Sequence, residues 1–328
     1  MASAKTSFVC TECGWTTVKW VGRCAECQQW DTMQEASAGR GLGSTKQVSA
    51  VRLVPAATAK PITDVSTKPV AAWPTKVGEF DRVLGGGLVP GAVILLSGEP
   101  GVGKSTLLLE VAANAARGGE EVLYVSGEES VGQVRLRAER TGALVDQLYL
   151  AAETDLATVL GQIEAVSPQL LVIDSVQTIA HADIDGAAGM PSQIREVATN
   201  LIRLAKENNL PVILVGHVTK DGNIAGPRAL EHLVDVVCHF EGDRQTSLRF
   251  VRSLKNRFGP TDEVGCFEMT GEGIREVPDP SGLFLSRPET PVSGTCVTVT
   301  IEGRRALIAE VQALVVKTST PQPRRVVN

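Results

Sequence analysis

The pattern of apolar and polar positions changes character near Trp73 of this 328-residue chain. Beyond that point come short apolar runs with little polar alternation: Val93 to Leu96, Val122 to Ser126 (VLYVS), Leu170 to Asp174 and Pro211 to Val215 (PVILV). Runs of this kind read as strands buried on both faces, the habit of a parallel sheet covered by helices. Longer stretches separate them. Leu107 to Ala116, the charged segment Val131 to Arg140, and Ser192 to Asn208 have helical length and composition. A short apolar stretch, Leu148 to Ala151, follows the charged helix, and residues 180–191 are loop-like. Ser247 to Arg252 predicts another strand, and residues 295–328 begin as a β-hairpin. Strands alternating with helices predict an α/β fold with a parallel sheet.

Ahead of Trp73 the pattern dissolves. Residues 36–70 are rich in Ala, Ser, Gly, Thr, Lys and Pro, have Asp64 as their one acidic residue, and carry no period. They predict a flexible, mildly basic linker. The expected order is a small module at 1–35, a linker at 36–70, an α/β core at 71–288, and a further segment at 289–328.

Hydrophobic content of 43% with 4% aromatics suits a core of Val, Leu and Ala. No run approaches membrane-spanning length and the N-terminus lacks a signal-peptide core, so a cytoplasmic location is expected. A net charge of −5 does not advertise nucleic-acid binding, and it does not exclude it, because binding needs a local basic surface.

The strongest chemical signal joins the first strand to the first helix. Gly98, Glu99, Pro100, Gly101, Val102, Gly103, Lys104 and Ser105 fit G-x-x-x-x-G-K-[ST], followed by Thr106. Strand, glycine-rich loop and helix N-terminus bring backbone N–H groups around phosphate oxygens. Lys104 is expected on the β- and γ-phosphates of ATP and the Ser105 hydroxyl on Mg²⁺. Asp174, at the exit of LLVID, is the expected second Mg²⁺ holder. The VLYVS strand delivers Glu128 and Glu129 to the same end of the sheet, where ligands of open α/β sheets bind. Glu128 is the chosen base for the attacking water, with Glu129 close behind. His217, after PVILV, either senses the γ-phosphate or caps its strand.

Near the N-terminus, Cys10 and Cys13 form one C-x-x-C pair and Cys24 and Cys27 another. Two such knuckles hold Zn²⁺ tetrahedrally in a closed structural site. A module this small needs the metal for its fold. Trp15, Trp20 and Trp30 fall here, either as a contact surface or as packing over the knuckles. Cys238, Cys266 and Cys296 are isolated and expected to be buried. Lys220 and Arg228 flank a Gly/Pro loop, and Arg244 to Arg257 is a basic run that is either a binding surface or a solvated strand edge.

These features, with VSGEES, LLVIDSVQT, GHVTKDGNIAGPRALEH and KNRFG (255–259), resemble the bacterial RadA/Sms DNA-repair family. That family is related to RecA and to DnaB-type ring helicases. The resemblance implies a RecA-like ATPase core and a homo-hexameric, ATP-driven motor on single-stranded DNA. It further implies branch migration of recombination intermediates and work alongside a RecA-type recombinase. Residue by residue it implies Glu128 as catalytic base, Lys220 and Arg228 facing DNA, and Lys255 and Arg257 facing DNA or a neighbouring subunit's nucleotide. It also implies that 289–328 starts a Lon-protease-like domain that normally continues beyond Asn328, a shortening that would weaken the hexamer. Ala25 stands where similar fingers have Pro. Two rival readings stay open: a KaiC-like signalling ATPase that recruits proteins without translocating, and a DNA-binding scaffold that uses ATP only to assemble.

Overall fold

The computed structural model describes residues 7–10, 16–17, 19–30, 32–36, 61–64, 71–217, 230–242, 247–279, 293–317, 319 and 322. The chain divides into two units, 1–68 and 69–328. Most of the expected linker, Cys13, Trp15, Lys220, Arg228 and Arg244 lie outside the described residues.

In the first unit, β1 (Ser7–Cys10) pairs antiparallel with both β2 (Thr16–Thr17) and β3 (Met33–Ala36). A tight turn follows Cys24, whose carbonyl accepts from Gln28 N at 3.1 Å.

The second unit opens with α1 (Gly78–Leu84), β4 (Val93–Gly98), α2 (Lys104–Arg117) and β5 (Val122–Ser126). Then come α3 (Val131–Arg140), β6 (Leu148–Ala152), α4 (Leu156–Val166), β7 (Leu170–Asp174), α5 (Pro191–Asn208) and β8 (Val212–His217). The remaining strands are β9 (Val236–Gly242), β10 (Leu248–Asn256), β11 (Val264–Thr270), β12 (Gly273–Glu276), β13 (Thr295–Glu302) and β14 (Arg305–Gln312). Nine strands form one sheet in the order β12-β11-β10-β9-β4-β8-β7-β5-β6. From β9 to β6 all neighbours run parallel, as the continuous apolar runs predict. Beyond β9 the sheet continues as an antiparallel meander through β10, β11 and β12, which the apolar pattern does not separate out.

The period of two divides each buried run between two cores. In β4, Ile94 and Leu96 face a cluster with Leu107, Leu108 and Val111 of α2. Val93 and Leu95 face the other side, against Leu201 and Ala205 of α5. Local signals agree with the packing. Ser130 and Gln133 close a capping box on α3, Asp155 caps α4 by accepting from Thr158 N at 2.9 Å, and Pro191 starts α5.

The hairpin β13–β14 is tied to α1 and to β11 by the buried Arg305 side chain, which also donates to Val264 O at 3.3 Å. Arg305, 7% exposed, donates to both carboxylate oxygens of Glu79 at 2.7 and 3.0 Å. Glu79 also accepts from Cys266 N at 2.8 Å. One face of the hairpin carries exposed Val297, Val299 and Ile301. Cys238 and Cys266 are buried as expected, and full burial pushes the Cys238 thiol up to about 12. Cys296 departs from expectation: it sits exposed on the two-stranded hairpin, which has no second layer to cover it among the described residues. Among the described residues no helix is long and apolar enough to cross a membrane.

Candidate active site and candidate metal centre

The strand order makes the site. β4 and β5 are consecutive in sequence, yet β8 and β7 lie between them. The chain therefore leaves a crevice beyond the carboxyl ends of β4, β5, β7 and β8, where a doubly wound sheet takes its ligand. Each of these strands delivers one of the singled-out groups to that end: the glycine-rich loop, Glu128, Asp174 and His217.

The loop needs its glycines. Gly98, Gly101 and Gly103 have φ of +157°, +77° and +114°. A Cβ on Gly98 would lie 2.2 Å from the Phe240 carbonyl oxygen of the adjacent strand. After the loop, Lys104 and Ser105 stand in the first turn of α2, where backbone N–H groups lack helical partners and the dipole favours anions. Lys104 is 3% exposed, and its Nζ donates to the carbonyls of Gly98 at 2.9 Å and Glu99 at 2.8 Å. Burial pulls its pKa down to about 8, against the opposing pull of Asp174, Glu128 and Glu99.

Asp174 is buried in register with Ser126, and the Tyr124 hydroxyl donates to its Oδ2 at 2.6 Å. Burial and the Asp174 charge hold Tyr124 well above the ordinary tyrosine range, so it stays a donor. Glu128 Oε1 accepts from Ser175 Oγ at 2.7 Å and lies 3.1 Å from His217 Nε2. That last contact is at ion-pair distance but out of line for a hydrogen bond, and neither ring nitrogen has a hydrogen-bond partner among the described residues. Burial and the Lys104 charge lower the His217 pKa, so the imidazole is neutral at pH 7. The neighbouring Glu129 turns away. Both of its carboxylate oxygens accept from Arg137 of α3, and its N–H donates to Ser126 Oγ at 3.0 Å. The two adjacent acids thus have different surroundings, a distinction that a bare Glu-Glu pair does not reveal.

KNRFG sits elsewhere. Lys255 Nζ donates to the carbonyls of Glu231 and Val234 at 2.8 and 2.7 Å. Asn256 Nδ2 caps α1 by donating to Leu84 O at 3.1 Å. A Cβ on Gly259 would lie 3.0 Å from Gly85 Cα. Arg257 donates to Asp235 Oδ1 at 2.9 Å yet keeps 55% of its side chain exposed. Asp235 is buried at the amino end of β4, taking Val93 N at 3.0 Å and Lys206 Nζ at 2.5 Å on Oδ2. This is the opposite end of β4 from the phosphate loop. Arg252 pairs with Glu241, and Arg249 bends toward the phosphate loop. The described cations of the basic run are therefore tied into the fold rather than arrayed as one open face. Lys220 and Arg228 lie outside the described residues.

In the first unit the Sγ atoms of Cys10, Cys24 and Cys27 lie within 4.8 Å of one another, and Cys10 Sγ is 3.6 Å from Cys27 Sγ. Three converging thiols with no disulfide are the donor set Zn²⁺ prefers, and Cys13 lies outside the described residues. Trp20 and Trp30 are 61% and 71% exposed, so these two do not pack over the knuckles. The Arg23 guanidinium sits 5.6 Å from the Trp30 ring centroid.

Comparison with known proteins agrees with this geometry. Residues 71–223 match a family described as AAA domain, and residues 8–35 match one described as rubredoxin metal binding domain. The chain is 53% identical to the DNA repair protein RadA of Mycobacterium tuberculosis over 330 residues, covering 100% of this chain and 68% of the relative. It is 54% identical to RadA of Mycolicibacterium smegmatis, covering 72% of it, and 44% identical to RadA of Bacillus subtilis, covering 71%. In fold it is similar to a KaiC-like protein from Pyrococcus horikoshii, with TM-score 0.53, 23% identity, and 64% of this chain on 100% of that one. A second solved structure, an isolated ATPase domain, is similar in fold with TM-score 0.56, 14% identity, and 63% of this chain on 92% of that one.

Proposed function

The chain belongs to the RadA family of bacterial DNA repair proteins, RecA-like ATPases, and from that premise we propose that it is a DNA-dependent ATPase that moves on single-stranded DNA and drives branch migration of recombination intermediates. The observation that carries the catalytic part is the meeting of Lys104, Glu128, Ser175, Asp174 and His217 at the carboxyl ends of four adjacent strands. Phosphoryl transfer needs positioned charge more than covalent chemistry, and these groups are held ready.

Lys104 supplies the cation for the β- and γ-phosphates. Glu128 orients the attacking water and takes its proton, with Ser175 fixing one carboxylate oxygen. Glu129 is a poor choice for that task because Arg137 already occupies its carboxylate. Neutral His217, beside Glu128, is placed to report on the γ-phosphate side. Ser105 and Asp174 fit Mg²⁺ as hydroxyl and carboxylate donors, and Tyr124 orients the carboxylate. When bound, Mg²⁺ neutralises charge on the transferred phosphoryl group. In the first unit Cys10, Cys24 and Cys27, with Cys13, would hold Zn²⁺ as a folding element.

Lys255 and Arg257 lie at the far end of their own sheet from the phosphate loop, which favours action on a neighbouring subunit's nucleotide in a hexamer over action on their own. Arg257 suits that task better than Lys255, because its side chain is the more exposed and its planar fork matches phosphate oxygens. Mixing tests it: Lys104→Ala subunits with Arg257→Ala subunits regain part of the ATPase activity if Arg257 acts in trans, and none if it acts in cis. The likeness to a KaiC-like protein is one of fold and does not favour the signalling reading. ATP hydrolysis is measured with and without single-stranded DNA, then ATP-dependent strand displacement on a branched substrate. Stimulation followed by displacement is the expected result. Hydrolysis indifferent to DNA returns the signalling reading, and stimulation without displacement returns the scaffold.

A further inference from the structure

One cation of the basic strand reaches the phosphate loop of its own chain. Arg249 of β10 pairs across the sheet with Gly242 of β9, and its Nε donates to the Val102 carbonyl at 3.1 Å. Its Nη1 donates to Leu248 O at 2.7 Å, which steadies the guanidinium. Gly242 leaves the path open: a Cβ there would sit 2.2 Å from Arg249 Cδ and 2.6 Å from Nε. The next residue of the loop is held from the same side. A Cβ on Gly103 would meet Met269 Sδ of β11 at 2.9 Å and Phe240 Cε1 of β9 at 3.6 Å.

The consequence follows from peptide geometry. In a planar trans peptide the C=O and the following N–H point in opposite directions. Holding the Val102 carbonyl toward Arg249 therefore turns the Gly103 N–H the other way, off β10. In a loop of the form G-x-x-x-x-G-K-[ST] such N–H groups are what close on phosphate oxygens. The bond is long-range, 147 residues apart in sequence, and no motif contains Arg249.

We propose that Arg249 is a positioning residue of the ATPase site, setting the direction of the Gly103 N–H through the Val102 carbonyl and so the strength with which the loop takes the β-phosphate of a nucleoside diphosphate or triphosphate. The assignment rests on the ATPase reading. It predicts that Arg249 matters for phosphate affinity in proportion to its geometry, not its charge alone.

The test uses the full chain and a fluorescent ADP analogue displaced by unlabelled ADP or by AMP, which lacks the β-phosphate. Arg249→Gln should raise the ADP dissociation constant about tenfold, the effect of one charge-assisted hydrogen bond, and leave AMP within about twofold. Gly242→Ala keeps the charge but drives the Arg249 stem from its path, and should show the same selective loss. Arg249→Lys keeps a donor and should recover most of the ADP affinity. Should Arg249→Gln fold poorly, the ADP-to-AMP ratios of Gly242→Ala and Arg249→Lys decide in the same way. Equal losses for ADP and AMP, an unchanged ADP affinity, or a Gly242→Ala protein that binds as wild type each overturn the assignment. Wild-type protein that fails to bind ADP at all overturns the ATPase reading itself, and is told apart because every variant then behaves alike.

Discussion

The two ends of β4 each bury a charge, and they treat it in opposite ways. At the amino end Asp235 has a partner for each carboxylate oxygen: Arg257 on one, Lys206 and Val93 N on the other. Burial alone would raise its pKa, but those hydrogen bonds and charges outweigh burial and hold it below the ordinary range. At the carboxyl end Lys104 has, among the described residues, the carbonyls of its own loop as hydrogen-bond acceptors, and burial pulls it down to about 8 against the pull of Asp174, Glu128 and Glu99. Nearby, both nitrogens of His217 lack a hydrogen-bond partner among the described residues. A buried charge with its partners in place holds a fold together. A buried charge short of partners costs stability and is kept where a ligand supplies what is missing.

The comparison breaks most decisively at Lys104. Replacing it with Ala should abolish ATP hydrolysis, at least about a hundredfold and up to about a thousandfold for one preorganised group, while thermal unfolding changes little or shifts upward. A large loss of stability would mean that Lys104 is a structural cation like those around Asp235.

A comparable test separates the adjacent acids. Glu128→Gln should cost about two to three orders of magnitude in kcat with ATP binding retained, because the proposed general base is lost and little else. Glu129→Gln should leave kcat within a few fold. Its cost falls on stability, at most about 1 kcal/mol, since the Arg137 pair is partly exposed. Steady-state kinetics beside thermal melts distinguishes them, and a reversed pattern moves the base by one residue.

At the other end of the strand, Asp235→Asn should leave single-subunit nucleotide affinity intact and lower stability by about 2 kcal/mol. Breaking a fully buried pair costs more, but Lys206 and Arg257 are half exposed and can turn to water. Because the folded pKa of Asp235 lies below its unfolded value of about 3.9, its contribution is present above that value and lost as pH falls through the folded one. Denaturant melts of wild type and Asp235→Asn should therefore differ at pH 7, begin to converge as pH falls below about 4, and coincide only once the folded carboxyl is itself protonated in stronger acid. A gap that persists there would show that packing, not the charge, supplies the difference.

Much of this is legible in the chain, for reasons that differ by element. The runs around Val93, Val122, Leu170 and Val212 have the continuity of strands covered on both faces, and α3 is readable to its ends because Ser130 and Gln133 cap it locally. The meander from β10 to β12 is harder, since its alternation is broken by Arg249, Arg252 and Lys255, which read as a basic surface. Their partners, Val102, Glu241 and the carbonyls near Val234, come from other strands and segments and are set by tertiary register. The glycine-rich loop announces itself by spacing. Tyr124 does not, although a phenol inside an apolar strand needs an acceptor, and that requirement is a usable sign of Asp174. Ser175 and Asp235 carry no signal at all, being an ordinary Ser and Asp until the fold supplies their neighbours.

The smallest expected effect is the most direct reading of the carboxyl end. Lys104 is about nine-tenths neutral at pH 9 if its pKa in the free protein is about 8, and about nine-tenths charged at pH 7. Phosphate oxygens favour the charged form, so nucleotide binding should take up close to one proton at pH 9 and about a tenth of one at pH 7. His217 adds nothing over that range, because burial and the Lys104 charge already keep it neutral. Affinity should accordingly weaken as pH rises past about 8. The ligand-free fold should move the other way. Between about pH 8 and about 10.4 the unfolded chain holds a proton on this lysine that the native state lacks, so unfolding free energy rises with pH across that window. Calorimetry in two buffers of different ionisation enthalpy measures the first effect, and melts of wild type against Lys104→Met isolate the second. Proton uptake that stays the same at pH 7 and pH 9 would mean that Lys104 is as well partnered as the cations around Asp235, and the contrast between the two ends of the strand would be gone.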